Sequence, residues 1–295
     1  NKEDIMDNHS ETRAKLEKIL AKVDELIPPV ETVRLKPSRG STTVFDSKLG
    51  GVPYFPKDME YPTVCEGVFT GRPLKFLAQL NFALLPKLEG FPTEGILQFF
   101  AGCIDDTVYG ANFDNGCDQN GFRVIYHENV IDDFTRLISD DDMPKFDGGD
   151  DYYPFTGEFL LIAEPLEKMS VTGNDFRGEK AVAKAYSELF GGDIKGIFDL
   201  MNADPELADV VFDICVAGGT RMGGYPIFTQ EDPRGYRNDY YRHTILLFQS
   251  DSESGGEGWE NEVCWGDAGV ANFFIAPEDL AKRDFSHVLY TWDCG

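Results

Sequence analysis

A segment near the N-terminus returns in the second half of the chain. Lys48-Leu49-Gly50-Gly51-Val52-Pro53-Tyr54-Phe55 recurs as Arg221-Met222-Gly223-Gly224-Tyr225-Pro226-Ile227-Phe228, 173 positions later. A basic residue, an apolar residue, two glycines, a proline and a phenylalanine stay in register. A repeat fixes how many structural units the chain must build. Its neighbours repeat in the same order: Phe76-Leu77-Ala78-Gln79-Leu80-Asn81 with Leu246-Leu247-Phe248-Gln249-Ser250-Asp251, Gly95–Phe100 with Gly269–Phe274, and Val124-Ile125-Tyr126 with Val288-Leu289-Tyr290. The short, apolar, β-prone runs between glycine and proline punctuation read as strands. The expected fold is therefore α+β, with two related antiparallel, strand-rich halves from an internal duplication, bridged by helices.

The helical signals lie outside the repeats. Leu16, Ile19, Leu20, Val23 and Leu26 recur at helical steps from about Ser10, with Asn8 and Glu11 as a capping pair and Pro28-Pro29 as the stop. Two further helices are expected at Glu179–Phe190 and Pro205–Ile214, the second capped near Asp204. The reading divides one globule into an N-terminal helix (1–30), a first half (31–175), bridging helices (176–216) and a second half (217–295).

Matched polar positions inside the strands carry the functional question. Leu77, Gln79 and Asn81 share a face by alternation, as do Leu247, Gln249 and Asp251, while Gln98 and Asn272 sit among apolar neighbours. An interior amide left unpaired costs roughly 1–3 kcal/mol, so each needs a partner. Either backbone groups satisfy them as internal braces, or the two sets converge on a polar seam between the halves that reads a ligand. The glycine pairs Gly50-Gly51 and Gly223-Gly224 have the same two readings, a ligand cradle or a tight crossover. The candidate seam site is thus Gly50, Gly51, Gln79, Asn81, Gln98, Gly223, Gly224, Gln249, Asp251 and Asn272.

Charge supplies the second candidate. The chain carries 27 basic and 52 acidic residues, a formal charge of −25. That field disfavours nucleic acid and anionic membranes and favours a basic protein partner. Between Glu128 and Asp151 lie nine acids and two bases, with Asp140, Asp141, Asp142, Asp147, Asp150 and Asp151 as the candidate partner surface. A calcium loop around Asp118 fails, because Gly116 and His127 stand where the first and last ligands belong. In the insert Thr229–His243, arginines and aromatics alternate, and pairing of Arg234, Arg237 and Arg242 with nearby acids is the expected role.

No reaction motif is present, neither G-x-S-x-G, H-E-x-x-H, a P-loop nor a post-strand G-x-G-x-x-G. His243 and His287 could meet Cys264 or Asp267 only through tertiary folding, so no catalytic residue, metal or cofactor is assigned. Six irregularly spaced cysteines read as reduced thiols. No apolar run spans a bilayer and no signal-peptide order opens the chain, which points to the cytoplasm.

The set formed by Leu49-Gly50-Gly51-x-Pro53, Phe76–Asn81, Gly95–Phe100, Gly219-x-x-x-Gly223-Gly224-Tyr225-Pro226, Trp265-Gly266-Asp267-Ala268-Gly269 and Trp292-Asp293 resembles the YwqG-like bacterial family of unknown function. The resemblance implies a strand-rich cytoplasmic fold and no activity to carry over. The expected function is a non-catalytic protein that binds a basic partner through its acidic surface, in an immunity- or antitoxin-like manner. The alternative is a small-molecule enzyme or sensor with its site at the seam.

Overall fold

A computed structural model describes residues 2–103, 108–146, 153–214, 218–254 and 262–295. The strands are β1 (Val30–Arg39), β2 (Lys48–Gly50), β3 (Lys75–Asn81), β4 (Ile96–Ala101), β5 (Phe122–His127), β6 (Glu158–Ala163), β7 (Glu167–Met169), β8 (Arg221–Gly223), β9 (Ile245–Asp251), β10 (Val270–Ile275) and β11 (Leu289–Asp293). The helices are α1 (Lys2–Leu26), α2 (Gly178–Phe190), α3 (Ile197–Ala203), α4 (Pro205–Ile214) and α5 (Pro277–Ala281). The strands form one antiparallel sheet in the order β11-β10-β9-β8-β1-β6-β2-β3-β4-β5, with β7 also paired to β1. The protein is α+β, as its alternating short strands predict.

Register makes the duplication explicit. Lys48 opposes Gln79 as Arg221 opposes Gln249, and Gln79 opposes Gln98 as Gln249 opposes Asn272. Both copies carry a bulge at the same point, where Leu77 or Leu247 is the extra residue. A bulge re-aims the side chains around it. It turns Leu77 into the central core beside Ala78 and Leu80, and Leu247 likewise beside Phe248. The alternation expected for Leu77, Gln79 and Asn81 is therefore broken.

The last matched strand is also shifted. Ile125 opposes Gln98 and Thr291 opposes Asn272, so Val124-Ile125-Tyr126 corresponds to Tyr290-Thr291-Trp292. The sequence match to Val288-Leu289-Tyr290 lies two residues too early. A shift of two keeps every side chain on its face, which is why the pattern concealed it.

β1 belongs, by register, to the second half. β6 flanks β2, with Gly50 opposite Glu158, and β1 flanks β8, with Gly223 opposite Thr32. Leu161 N donates to Ser47 O at 2.9 Å, and Leu35 N donates to Thr220 O at 2.8 Å. β1 and β6 then pair with each other from Leu35–Ala163 to Arg39–Phe159. Each half is a five-strand unit, and the second takes its innermost strand from upstream of the first.

The wings of the sheet meet through their apolar faces. Leu97, Phe99, Phe122, Phe248, Phe273 and Tyr290 lie in one buried cluster. Burial of each large side chain contributes about 1.5–3 kcal/mol. A second core joins Leu16, Ile19 and Val23 of α1 to Val182, Leu200, Leu207 and Tyr225. α1 starts at Lys2, so Asn8 lies within the helix instead of capping it. Asp204 caps α4, accepting from Leu207 N at 3.3 Å. Among the described residues no helix is long and apolar enough to cross a membrane.

Candidate functional site

The four matched amides grip one loop residue in each half. Tyr54 N donates to Gln79 Oε1 at 3.0 Å and Gln98 Nε2 donates to Tyr54 O. Ile227 N donates to Gln249 Oε1 at 2.9 Å and Asn272 Nδ2 donates to Ile227 O at 2.8 Å. Tyr54 and Ile227 hold equivalent places in the repeated segment. One position earlier than the repeated basic residue, Ser47 Oγ accepts from Asn81 N at 2.9 Å and Thr220 Oγ1 from Asp251 N at 3.1 Å. These bonds hold the glycine loops onto their own half. The seam between the halves is instead lined by Phe99, Phe248 and Phe273.

The glycines mark close crossings of backbone. Gly50 has φ +64° and a Cβ there would lie 2.4 Å from Gly157 O; Gly223 has φ +67° and a Cβ would lie 2.6 Å from Glu31 O. Side chains are excluded at both. Gly51 and Gly224 continue the left-handed turn. The basic residues ahead of the loops are anchored differently: Lys48 Nζ donates to Val52 O within its loop and to Thr42 Oγ1, whereas Arg221 Nη2 donates back to Gly218 O. Burial pushes Lys48 down to about 8, against the opposing influence of Glu158 and Asp46.

The acidic candidates lie on the outer side of the first half. The loop after Phe55 pairs with the segment 131–143: Pro56 bridges Leu137, Lys57 N donates to Arg136 O at 2.8 Å and Ile138 N to Phe55 O at 2.9 Å. This pairing brings Asp58 and Glu60 to the same layer as Asp132, Asp133 and the 3-10 turn Asp140–Asp142. Asp142 is used internally, accepting from Ser139 N at 2.9 Å and Oγ at 2.8 Å. Those bonds hold its carboxyl below the ordinary range. Asp140 and Asp141 are exposed, and between the acids Phe134 is 65% and Met59 41% exposed. Asp147, Asp150 and Asp151 lie outside the described residues. Among the described residues, no group of three or more His, Cys, Asp and Glu side chains is placed to hold a metal.

The insert Thr229–His243 builds an ionic lattice that the sequence reading located only in part. Arg234 is fully buried and bonds Asp232 through Nε at 2.9 Å and Nη2 at 2.7 Å, and Asp175 at 2.9 Å. Arg177 grips the same Asp175 at 2.7 and 2.8 Å. Burial alone would raise Asp175, but Arg177 and Arg234 outweigh it and hold its carboxyl low. The available signal was an Asp-x-Arg spacing that occurs at both Asp175–Arg177 and Asp232–Arg234. Arg242 pairs with Glu278 and Asp279, as expected of the insert.

His243 meets Cys117, at 3.6 Å, and the His287 carbonyl, at 2.9 Å. Burial pushes the Cys117 thiol up to about 11 and lowers His243. The pair is thus a thiol beside a neutral imidazole, the reverse of an activated nucleophile. Two cavities flank the insert. One, of about 510 Å³, lies between Thr291 and Asp293 on one side and Tyr236, Arg237 and Phe113 on the other. The second, of about 470 Å³, opens between α2, α3 and Asp232. Cys65, Cys117, Cys264 and Cys294 are free thiols.

No curated protein matches the chain significantly. Residues 47–294, which hold both repeats but not β1, match the family described as a domain of unknown function, DUF1963, and the chain belongs to that family.

Proposed function

We propose that the chain is a non-catalytic binding protein that holds a basic protein partner on the acidic layer of its first half. In this reading it is a cytoplasmic, YwqG-like bacterial member of its family, with an immunity- or antitoxin-like role. One observation carries the reading: two paired loops, 56–61 and 131–143, present seven acids against two bases around the exposed Phe134 and Met59. Acids around an apolar contact give both steering and a desolvated anchor. The charge of −25 extends the attracting field beyond the patch.

Asp142 belongs to the turn's own hydrogen bonding, so the informative variant is Asp140→Asn with Asp141→Asn. Wild type and variant are used as baits in native extract at low and high salt. A basic protein held by wild type at low salt, and lost by the variant or at high salt, is the expected result. Equal retention by both baits, or no salt-sensitive protein at all, would refute the reading.

A further inference from the structure

The two halves are alike in register yet differ at one corner, and the difference has the shape of a side chain. In the first half, Gln98 Oε1 accepts from His127 Nε2 at 2.8 Å. Burial drives His127 down to about 4, so its ring is neutral and donates through Nε2–H. The ring lies edge-on to Tyr54 at 5.0 Å, and Ile125 packs beside the adjoining Phe55 and Phe100 cluster. The amide oxygen of Gln98 is thus satisfied there, although the Tyr61 hydroxyl in the adjoining cluster has no partner.

The second half places Asn272, Thr291 and Asp293 at the positions of Gln98, Ile125 and His127. All three replacements are shorter or more polar. Asn272, fully buried, spends its Nδ2 on Ile227 O, and its Oδ1 has no hydrogen-bond partner. Asp293 Oδ2 accepts from Gln230 N at 2.8 Å and Thr229 faces the same carboxyl, while no donor stands within normal hydrogen-bond distance of its Oδ1. A buried acceptor without a donor costs about 1–3 kcal/mol, and here two occur on adjacent strands. Beside them, where the first half packs an imidazole and an isoleucine, lies the cavity of about 510 Å³.

We propose that this cavity binds a small organic cation with planar N–H donors, an imidazolium or guanidinium group, that fills the space beside Thr291 and donates to the Asp293 carboxylate. Its complementary groups are Asp293 as acceptor, Glu231 as a further negative charge, and the aromatic wall of Tyr236, Tyr240 and Phe113, with the Arg237 guanidinium as an opposing positive charge in the same wall. Tyr236 is 62% and Phe113 53% exposed, which leaves their faces open to a cation. The wall already carries such a contact: the Arg237 guanidinium stands 5.0 Å over the Tyr240 ring. Burial holds Asp293 above the ordinary carboxylate range, against the lowering effect of hydrogen bonds from Gln230 and Thr229. A bound cation would reverse that shift.

Imidazole at a pH that protonates it, and butylguanidinium, serve as probes, followed by NMR at the Gln230 amide and the Asn272 side-chain NH₂. Saturable shifts in the millimolar range or tighter are expected with wild type. Asp293→His restores the residue of the first half, and should weaken binding at least tenfold without lowering Tm. Thr291→Ile, the other first-half residue, narrows the cavity and should also weaken binding, so a misfolded histidine variant does not decide the matter alone. Absence of saturable shifts in wild type, or undiminished affinity in both folded variants, overturns the proposal.

Discussion

Phe99 of β4 and Phe273 of β10 hold matched positions in the two halves and lie against each other, with ring centroids 4.7 Å apart. The contact joins the duplicated units at their equivalent points. Phe248 stacks on Phe99 at 4.9 Å, so the seam is sealed by rings from both copies.

Truncation at this contact should be costly and coupled. Phe99→Ala and Phe273→Ala are each expected to lose about 3–5 kcal/mol in denaturant unfolding, because both sites are fully buried. Their double mutant should deviate from additivity by about 0.5–3 kcal/mol. Strict additivity would show that the halves fold as independent units.

The amide clasps predict a local effect. Gln79→Ala and Gln249→Ala each strand a buried loop N–H, at a cost of about 1–3 kcal/mol. Hydrogen exchange should quicken at Tyr54 in the first variant and at Ile227 in the second. If either substitution instead abolishes binding of a ligand while leaving exchange unchanged, the amides are recognition groups and not braces.

Arg234 is the most exposed to disruption of the buried charges, since two carboxylates depend on it. Arg234→Met should destabilise by about 3–5 kcal/mol, as removal of one partner leaves buried charge uncompensated. Asp175 has a lowered folded pKa. Its stabilisation is therefore present above the unfolded value of about 3.9 and is lost as pH falls through the folded value. Acid unfolding of wild type should show this loss, and Asp175→Asn should lack that component.

Lys48 gives a test with the opposite charge type. Its folded pKa of about 8 lies below the ordinary 10.5, so the fold disfavours the ammonium form. Stability from this group should be complete above about pH 10.5 and fall as pH drops through about 8. A side-chain carbon titration resolves it directly. A midpoint above 10 would mean that Val52 O and Thr42 hold the charged form better than burial opposes it.

Much of this architecture was legible because strand pairing repeats with the sequence. Gln79, Gln98, Gln249 and Asn272 stood out as matched polar residues in apolar strands, and they do share one task. Their direction was not legible, because the bulges at Leu77 and Leu247 reverse the alternation that sequence reading relies on. Membership of β1 in the second half was hidden by chain order, and the Arg234 lattice by the 59 residues that separate it from Asp175. The outer cavity depends on comparing Asp293 with His127, a pairing that only the corrected register supplies.

The acidic layer is most directly tested by zero-length carbodiimide crosslinking of the tagged protein in native extract, with the joined carboxylates mapped by mass spectrometry. Intermolecular links to partner lysines should concentrate on Asp58, Glu60, Asp140 and Asp141, and should disappear at high salt. Links confined to the second half or the helices, or no salt-sensitive links at all, would contradict the proposed binding surface.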